Sequence, residues 1–404
     1  MRRHLSHKEV VLGVTGSIAA YKACEVASRL VELGARVTPV MTASARQLLG
    51  PASLEALTGR RVITEMFEAL QNPEVEHIAV ATRADLFLIA PATANVLAKA
   101  AHGIADDWLS TTLLATRAPI LFAPAMNTDM YTHPATQANI GTLQARGCHF
   151  VGPASGRLAC GSIGVGRMID PQTLLEAAVP LLCDRKDLAG KHVLITSGAT
   201  REAIDPVRYM GNRSSGKMGR AVALEALARG ARVTVVTGPA EVPLPYGVEV
   251  LEVETAAQMA EATLPLARSA DLVIAVAAVA DYRVETPYPQ KRKRSAGPLT
   301  LTLIENPDIL AQVAVDKRPG QVLIGFAAET DDLLANAKAK LTKKNLDLVV
   351  VNSVCGPDSA FGADSAKAAI LDRDGHVEDL AVISKDELAA RLLDRAAALL
   401  DRKP

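Results

Sequence analysis

Two kinds of residue in this chain could do chemistry. The first kind is small and bears hydroxyls or amides, in strings that each follow an apolar run. Gly16-Ser17-Ile18 follows Glu9 to Thr15, and Thr42-Ala43-Ser44 follows Arg36 to Met41. Pro91-Ala92-Thr93-Ala94-Asn95 follows Asp85 to Ala90, and the string Pro124 to Tyr131, which holds Asn127, follows Pro119 to Ala123. If each run is a strand, every string lies at a strand's carboxyl end, where open α/β sheets place ligands. The helix that starts after Gly16-Ser17-Ile18 offers N–H groups suited to a phosphate. Singly, each string has two readings. Ser44 either caps a helix or gives its hydroxyl to a phosphate. Asn95 and Asn127 either form turns or line a cleft, and two such loops at adjacent strand ends favour the cleft. One thiol stands apart. Cys160 lies among Gly156, Gly161, Gly164 and Gly166, in a stretch too rich in glycine for a core element and suited to a lid.

The second kind is charged. Ser214-Ser215-Gly216-Lys217 opens an amphipathic run and suits a phosphate at a helix start, although GxxxxGK[ST] is absent. Asp281 ends the apolar run Leu272 to Ala280, which reads as a strand; it is a turn residue or a ligand to Mg²⁺ shared with phosphates. Lys291-Arg292-Lys293-Arg294 sits among Pro287, Pro289 and Pro298, either a solvated basic loop or one facing a triphosphate. Lys340 and Lys344 are four apart, hence on one helix face, and lead into the strand LVVVN.

The elements that must position these groups come in two sets. From Lys191 to Gly238 the chain reads as strand, glycine-bearing loop, helix to Arg229, stop at Gly230 and second strand, a βαβ unit. A similar pattern starts at Glu9, with a helix ending near Gly34. The spacing predicts two tandem doubly wound α/β domains, Rossmann-like in build. An amphipathic helix from Thr173 to Leu182 and a polar stretch from Cys183 to Gly190 place the boundary, giving domains 1–188 and 189–404. The 404 residues agree, since about 150 residues make one domain.

Composition excludes several classes. Lys+Arg and Asp+Glu are both 44, without the basic excess of a general nucleic-acid binder. The run Leu272 to Ala280 is the longest apolar one and far short of the ~20 residues that span a bilayer. No charged segment leads into an apolar one at the start, as in a secretory signal. Five scattered cysteines make no disulfide framework, and a reducing cytoplasm is the expected setting. A two-domain NAD(P)- or flavin-linked oxidoreductase is the alternative reading, weakened because no GxGxxG follows a strand in either half.

The strings GSIAAYK, APATAN, PAMNTDM and GRLACGSIGVGRM are together similar to the flavin-dependent cysteine decarboxylases, in particular those acting on phosphopantothenoylcysteine. Tyr131 stands where that family often has Trp. TSGAT, NRSSGKMG, AAVADYR, KRKR, ENPDI, GFAAET and KAKLTKKNLDLVVVN resemble the phosphopantothenate–cysteine ligases. Their order resembles the bifunctional bacterial enzymes of coenzyme A synthesis. The resemblance implies a flavodoxin-like first domain in which Gly16, Ser17, Ile18, Ser44, Ala92, Thr93 and Asn95 line FMN. It implies that Asn127 holds the substrate carboxylate, that His77 is catalytic and that Cys160 donates a proton. Oxidation of the cysteine thiol to a thioaldehyde would make the carboxylate labile, a step the cofactor supplies. In the second domain it implies that Asp281, Lys291, Pro307, Asp308, Ile309, Phe326, Lys340 and Lys344 contact CTP. Ser214, Ser215, Gly216 and Lys217 would join the substrate site. Arg208 and Asn212 would handle the acyl-cytidylate, Lys291 would assist activation, and Asp281 would hold Mg²⁺ or Mn²⁺. The family's basic motif usually reads KxKK, and here Arg294 takes its last place. The implied assembly is a homo-oligomer, a dodecamer, with small-molecule substrates and neither nucleic acid nor membrane as partner.

Overall fold

EVVLGV and LFLIAPA are apolar at nearly every position, not at alternate ones. That is the pattern of parallel strands covered on both faces. In the computed structural model, which describes residues 1–66, 76–293, 298–329, 333–353 and 363–401, both runs are strands. The chain divides into two units, Met1–Asp184 and Arg185–Pro404. No helix among the described residues is long and apolar enough to cross a membrane.

The first unit holds β1 (Glu9–Val14), β2 (Arg36–Met41), β3 (Leu86–Ala92), β4 (Ile120–Pro124) and β5 (His149–Phe150). They form one parallel sheet in the order β2-β1-β3-β4-β5, the flavodoxin-like arrangement. The helix Lys22–Glu32 buries Ala23, Val26, Ala27 and Leu30, an i, i+3, i+4, i+7 stripe facing the sheet. Phe87, Ile89, Phe122 and Trp108 pack together in a core cluster. An antiparallel hairpin, β6 (Ala154–Arg157) and β7 (Ile163–Arg167), stands outside the sheet.

The second unit is built on β8 (His192–Ser197). It adds a small hairpin, β9 (Arg201–Ala203) with β10 (Tyr209–Gly211), then β11 (Arg232–Thr237), β12 (Glu249–Glu252) and β13 (Leu272–Ala275). A second small hairpin, β14 (Tyr282–Val284) with β15 (Leu303–Glu305), precedes β16 (Val322–Glu329), β17 (Leu348–Ser353), β18 (Ser365–Asp372) and β19 (Val377–Ser384). The main sheet runs β12-β11-β8-β13-β16-β17-β18-β19. It is parallel as far as β17 and antiparallel beyond. The chain fills one side of β8 and then returns to fill the other, which is the Rossmann order.

One expectation needs correction. The apolar run ending at Ala280 is not a single strand, because β13 stops at Ala275. Beyond it the backbone keeps the register with β8 and the loop after it through isolated bonds: Val276 N–H reaches the Thr196 carbonyl at 3.1 Å, Ala278 N–H reaches the Gly198 carbonyl at 2.9 Å, and Ala280 N–H reaches the Thr200 hydroxyl at 2.9 Å. Alanines are small enough for the two loops to run side by side. Asp281 therefore stands at the end of a loop, not of a strand.

The same closure recurs in both units. The Asp85 carboxylate accepts the N–H of Glu9, the first residue of β1, at 2.8 Å. The Asp271 carboxylate accepts the N–H of His192, the first residue of β8, also at 2.8 Å. In the second unit Arg229 is 1% exposed. It donates to Glu225 at 2.9 Å and to Asp394 at 2.7 Å, and to the Ala390 carbonyl at 3.0 Å. These bonds tie the helix Lys217–Ala228 to the helix Lys385–Asp401. Removing the guanidinium takes this cation from the buried Glu225 carboxylate, so Arg229→Ala should cost about 3–5 kcal/mol. Urea unfolding of the second unit's transition measures that loss; a change within error would make the network ornamental.

Candidate active sites

In the first unit the strand order reverses between β1 and β3, and the loops after both strands meet there. Thr15 joins them: its hydroxyl donates to the Pro91 carbonyl at 2.7 Å and accepts the Thr93 N–H at 3.1 Å. Gly16 has no room for a side chain, since a Cβ would come 2.4 Å from that of Ser44. This contact brings the loop after β2 into the same place. Thr42, not Ser44, caps the helix Ala43–Arg46, accepting Ala45 N–H at 3.3 Å, and Ser44 is exposed. Ser17 caps the short helix Ile18–Tyr21, and Thr93 caps Ala94–His102. Ala92 is buried and its carbonyl accepts Ala125 N–H at 3.0 Å, while Asn95 is exposed. Ile18 is 62% exposed. Hydroxyls, helix N–H groups and a bare apolar side chain around a glycine cradle fit a phosphate-bearing planar cofactor.

The loop after β4 carries Asn127. Its Oδ1 accepts Asp129 N–H at 2.8 Å, and its Nδ2 lies 3.7 Å from the Cys160 Sγ. The β6–β7 hairpin delivers Cys160 because two glycines let it lie against this loop. A Cβ on Gly166 would stand 2.2 Å from the Met126 carbonyl oxygen, and one on Gly164 would stand 2.4 Å from the Thr128 hydroxyl. Ser162 Oγ is 3.1 Å from the Cys160 Sγ. Hydrogen bonds with Ser162, then Asn127, hold the exposed thiol below its ordinary value. His77 is half-buried on the helix Glu76–Arg83. Among the described residues no hydrogen bond joins it to Asn127 or Cys160. Thr15 and Ser162 escaped the sequence reading. The signal for Ser162 was its place two residues after the thiol.

In the second unit a cavity of about 210 Å³ opens where the order reverses between β8 and β13. It brings together Asp281, Pro307, Asp308, Ile309, Phe326, Lys340 and Lys344. Asp308 caps the helix Ile309–Val315, accepting Ala311 N–H at 3.0 Å, and pairs with Lys344 at 2.8 Å. Partial burial pushes its carboxyl up, but Lys344 and the helix N–H outweigh this and hold it below the usual carboxylate range. Lys340 donates to the Phe326 carbonyl. Asn306 fixes the turn at Asp281: its N–H reaches the Asp281 carbonyl at 2.8 Å and its amide reaches that of Ala280 at 2.9 Å. No group of three or more His, Cys, Asp or Glu among the described residues is arranged to hold a metal, so a Mg²⁺ at Asp281 would take most of its oxygens from phosphates.

Beside the cavity, Asn212 donates to the Val279 carbonyl at 2.9 Å. Ser214 Oγ accepts Gly216 N–H at 3.4 Å, and Ser215 is buried. Gly216 starts the helix Lys217–Ala228 with φ +77°, and a Cβ there would meet that of Ala240 at 2.6 Å. Lys217 pairs with Asp364 at 2.6 Å. Asp205 clamps two loops. Its Oδ2 accepts Arg208 Nε at 3.0 Å and Arg292 N–H at 3.2 Å, while Arg208 Nη2 donates to the Arg292 carbonyl at 2.6 Å. The Arg208 guanidinium, with the N–H groups of Val207, Arg292 and Arg208, holds the Asp205 carboxyl far below the usual carboxylate range. Lys291 is exposed in the clamped loop and does not line the cavity; Arg294 lies outside the described residues. Asp205 was also missed, although Asp-Pro is a turn signal.

Both units thus carry phosphate-suited sites at the reversal of a parallel sheet, and the comparisons give their class. Residues 1–182 match the family described as Flavoprotein, and residues 188–400 match the DNA/pantothenate metabolism flavoprotein C-terminal domain. The chain is 45% identical over 399 residues to the coenzyme A biosynthesis bifunctional protein CoaBC of Bacillus subtilis (strain 168), covering 98% of each. The chain belongs to the family of coenzyme A biosynthesis bifunctional proteins. Among solved structures, the C-terminal domain of a CoaBC protein is 38% identical, with TM-score 0.46, over 54% of this chain and 98% of that one. The FMN-dependent cysteine decarboxylase SpaF is 38% identical, with TM-score 0.38, over 43% of this chain and 99% of that one. The alternative of an NAD(P)- or flavin-linked oxidoreductase finds no support in these likenesses.

Proposed function

We propose that residues 189–404 join cysteine to phosphopantothenate at the expense of CTP, and that residues 1–188 bind FMN and decarboxylate the product to phosphopantetheine. The likeness to bifunctional relatives along nearly the whole chain supports this reading most directly. FMN, when bound, supplies the reversible two-electron oxidation of the cysteine thiol that makes its carboxylate labile. Gly16, Ser17, Ile18, Ser44, Ala92, Thr93 and Asn95 would hold it. Asn127 would orient the substrate carboxylate with the same amide that faces Cys160, so the departing CO₂ and the proton donor sit side by side. Cys160, its thiol already favoured as a proton donor by Ser162, would protonate the carbon that CO₂ leaves. His77 would act from its own helix in the same reaction.

In the second unit the phosphopantothenate carboxylate would attack the α-phosphorus of CTP, releasing pyrophosphate. The cysteine amine would then attack the acyl carbon, releasing CMP. Lys340, Lys344 and Lys291 would offset charge developing on the phosphates. Asp281 would hold Mg²⁺ or Mn²⁺ jointly with phosphate oxygens. Arg208 and Asn212 would steady the acyl-cytidylate beside Ser214, Ser215, Gly216 and Lys217. We place the protein in the cytoplasm as a homo-oligomer, dodecameric as the resemblance implies; exposed Ile18, Tyr21, Met130 and Ile163 support burial against other copies, and light scattering tests it.

The fragment 1–188 should purify yellow, with an FMN spectrum, and decarboxylate added phosphopantothenoylcysteine. Colourless or insoluble protein would argue that the halves do not fold separately. Asp205→Asn should lower ligation about tenfold or more through loss of charge-assisted bonds, with decarboxylation untouched. Equal loss in both reactions would mean a general folding defect instead.

A further inference from the structure

The hairpin that carries Cys160 stands outside the sheet, and its glycines leave the backbone little stiffness of its own. Two carbonyls near its exit are held from outside. Gly166 accepts the N–H of Met126, in the loop that carries Asn127, at 3.0 Å. Two residues on, the Met168 carbonyl accepts the Lys22 ammonium, also at 3.0 Å. Lys22 is half-buried and opens the helix Lys22–Glu32, directly after the short helix Ile18–Tyr21 that follows Gly16 and Ser17. Burial, then the Arg167 guanidinium, hold its ammonium below the ordinary lysine value, while Asp170 opposes them. Residues on both sides of Met168 thus act on Lys22. Met168 is 1% exposed, so water does not readily replace a donor lost there.

Building on the reading of the first unit as an FMN-dependent decarboxylase, we infer that Lys22 is a positioning residue for the last protonation: its bond to the Met168 carbonyl ties the Cys160 hairpin to the helix that leads out of the flavin loop. Without that bond Gly166 still meets the Asn127 loop, but the hairpin's exit is released from the flavin helix. The cradle itself does not depend on Lys22, since the Thr15 hydroxyl joins its loops through Pro91 and Thr93. Release of CO₂ therefore survives the loss, and the later step suffers. The saturated product differs from the unsaturated one by two hydrogens. One is the proton from the Cys160 Sγ; the other is a hydride that returns the two electrons taken from the substrate thiol. A reacting group misplaced by about 1 Å costs about 10²-fold in rate.

The test uses the full chain with added phosphopantothenoylcysteine. Lys22→Met keeps most of the side chain's length and removes the donor. It should purify with as much FMN as the wild type. The ratio of unsaturated to saturated product, read by mass spectrometry, should rise about ten- to hundredfold, the range of one hydrogen bond to a charged group. Amide hydrogen exchange over residues 154–168, measured without substrate, should quicken. Lys22→Arg, which can still donate, should restore both readings. Arg29→Ala is the control: it removes the bond of the same helix to Gln172, at 2.9 Å, and should change neither. A wild-type product ratio and wild-type hairpin exchange in Lys22→Met overturn the inference and leave the decarboxylase reading standing. Loss of FMN with hairpin exchange unchanged overturns it too, because Lys22 then serves the flavin loop. So does an equal shift in Arg29→Ala, the mark of a general loosening of the helix. A wild type that takes up no FMN and releases no CO₂ overturns the decarboxylase reading itself.

Discussion

Cys160→Ser should keep FMN, still release CO₂, and stop before saturated phosphopantetheine is formed. A serine hydroxyl is a far weaker acid than a thiol, so the step that suffers is the last protonation. The surroundings sharpen this expectation. Ser162 and Asn127 both face the sulfur and favour its thiolate, and the hairpin that carries it is seated by Gly164 and Gly166. Serine at 160 would keep the backbone of that hairpin and lose only the acidity. Saturated product should fall about 10²- to 10⁴-fold, the usual worth of a positioned general acid. Mass analysis separates the outcomes: an unsaturated product two hydrogens lighter supports the role, and full yield of the saturated one removes Cys160 from it. Loss of CO₂ release as well would mean that the hairpin serves the earlier step.

Asn212→Asp should let the acyl-cytidylate form and then accumulate. The Asn212 amide donates to the Val279 carbonyl, on the loop that leads to Asp281. A carboxylate in that place cannot donate, and it repels the carbonyl it replaces a bond to. It also opposes the negative charge that builds on the acyl oxygen as cysteine attacks. Removing one preorganised donor from such a site costs about 10²- to 10³-fold in rate. Asn212→Ser, which can still donate, should lose less. Trapping the intermediate by mass spectrometry, with and without cysteine, reads the result directly. Ligation at the wild-type rate in Asn212→Asp would reduce Asn212 to a turn residue. CTP should also support ligation far better than ATP, because a site built for one base edge leaves polar groups unpaired with another.

The strand-end loops were legible because parallel strands buried on both faces leave unbroken apolar runs, and the glycine-bearing strings after them mark the turns. Asp308, Lys340 and Lys344 come from distant segments, yet each sits at a recognisable end of a helix, and one cavity collects them with Asp281. What sequence missed is non-local or lies in the backbone. Residues 276 to 280 look like strand, but the N–H groups of Val276, Ala278 and Ala280 go to Thr196 near the end of β8 and to Gly198 and Thr200 in the loop after it. Thr42 and Ser44 are both good caps, and only the geometry decides between them. The antiparallel β18 and β19 are partly polar, so their run gave no clear period. The Asp205 clamp joins residues 87 apart, a pairing no local pattern announces.

The two aspartates that catch the first N–H of β1 and of β8 have a consequence for synthesis. Their partners are 76 and 79 residues away along the chain, and the first strand of each sheet cannot be flanked on both sides until that much more has been made. At about 5–20 residues per second a ribosome takes about 4–15 s to supply it. During that wait an unbroken apolar strand has one neighbour instead of two, and non-local pairing of this kind is slow in its own right. Each half of the chain therefore passes through its own interval of exposure as it is translated. Slowing elongation between residues 42 and 85, or between 238 and 271, should lower soluble yield more than slowing it elsewhere.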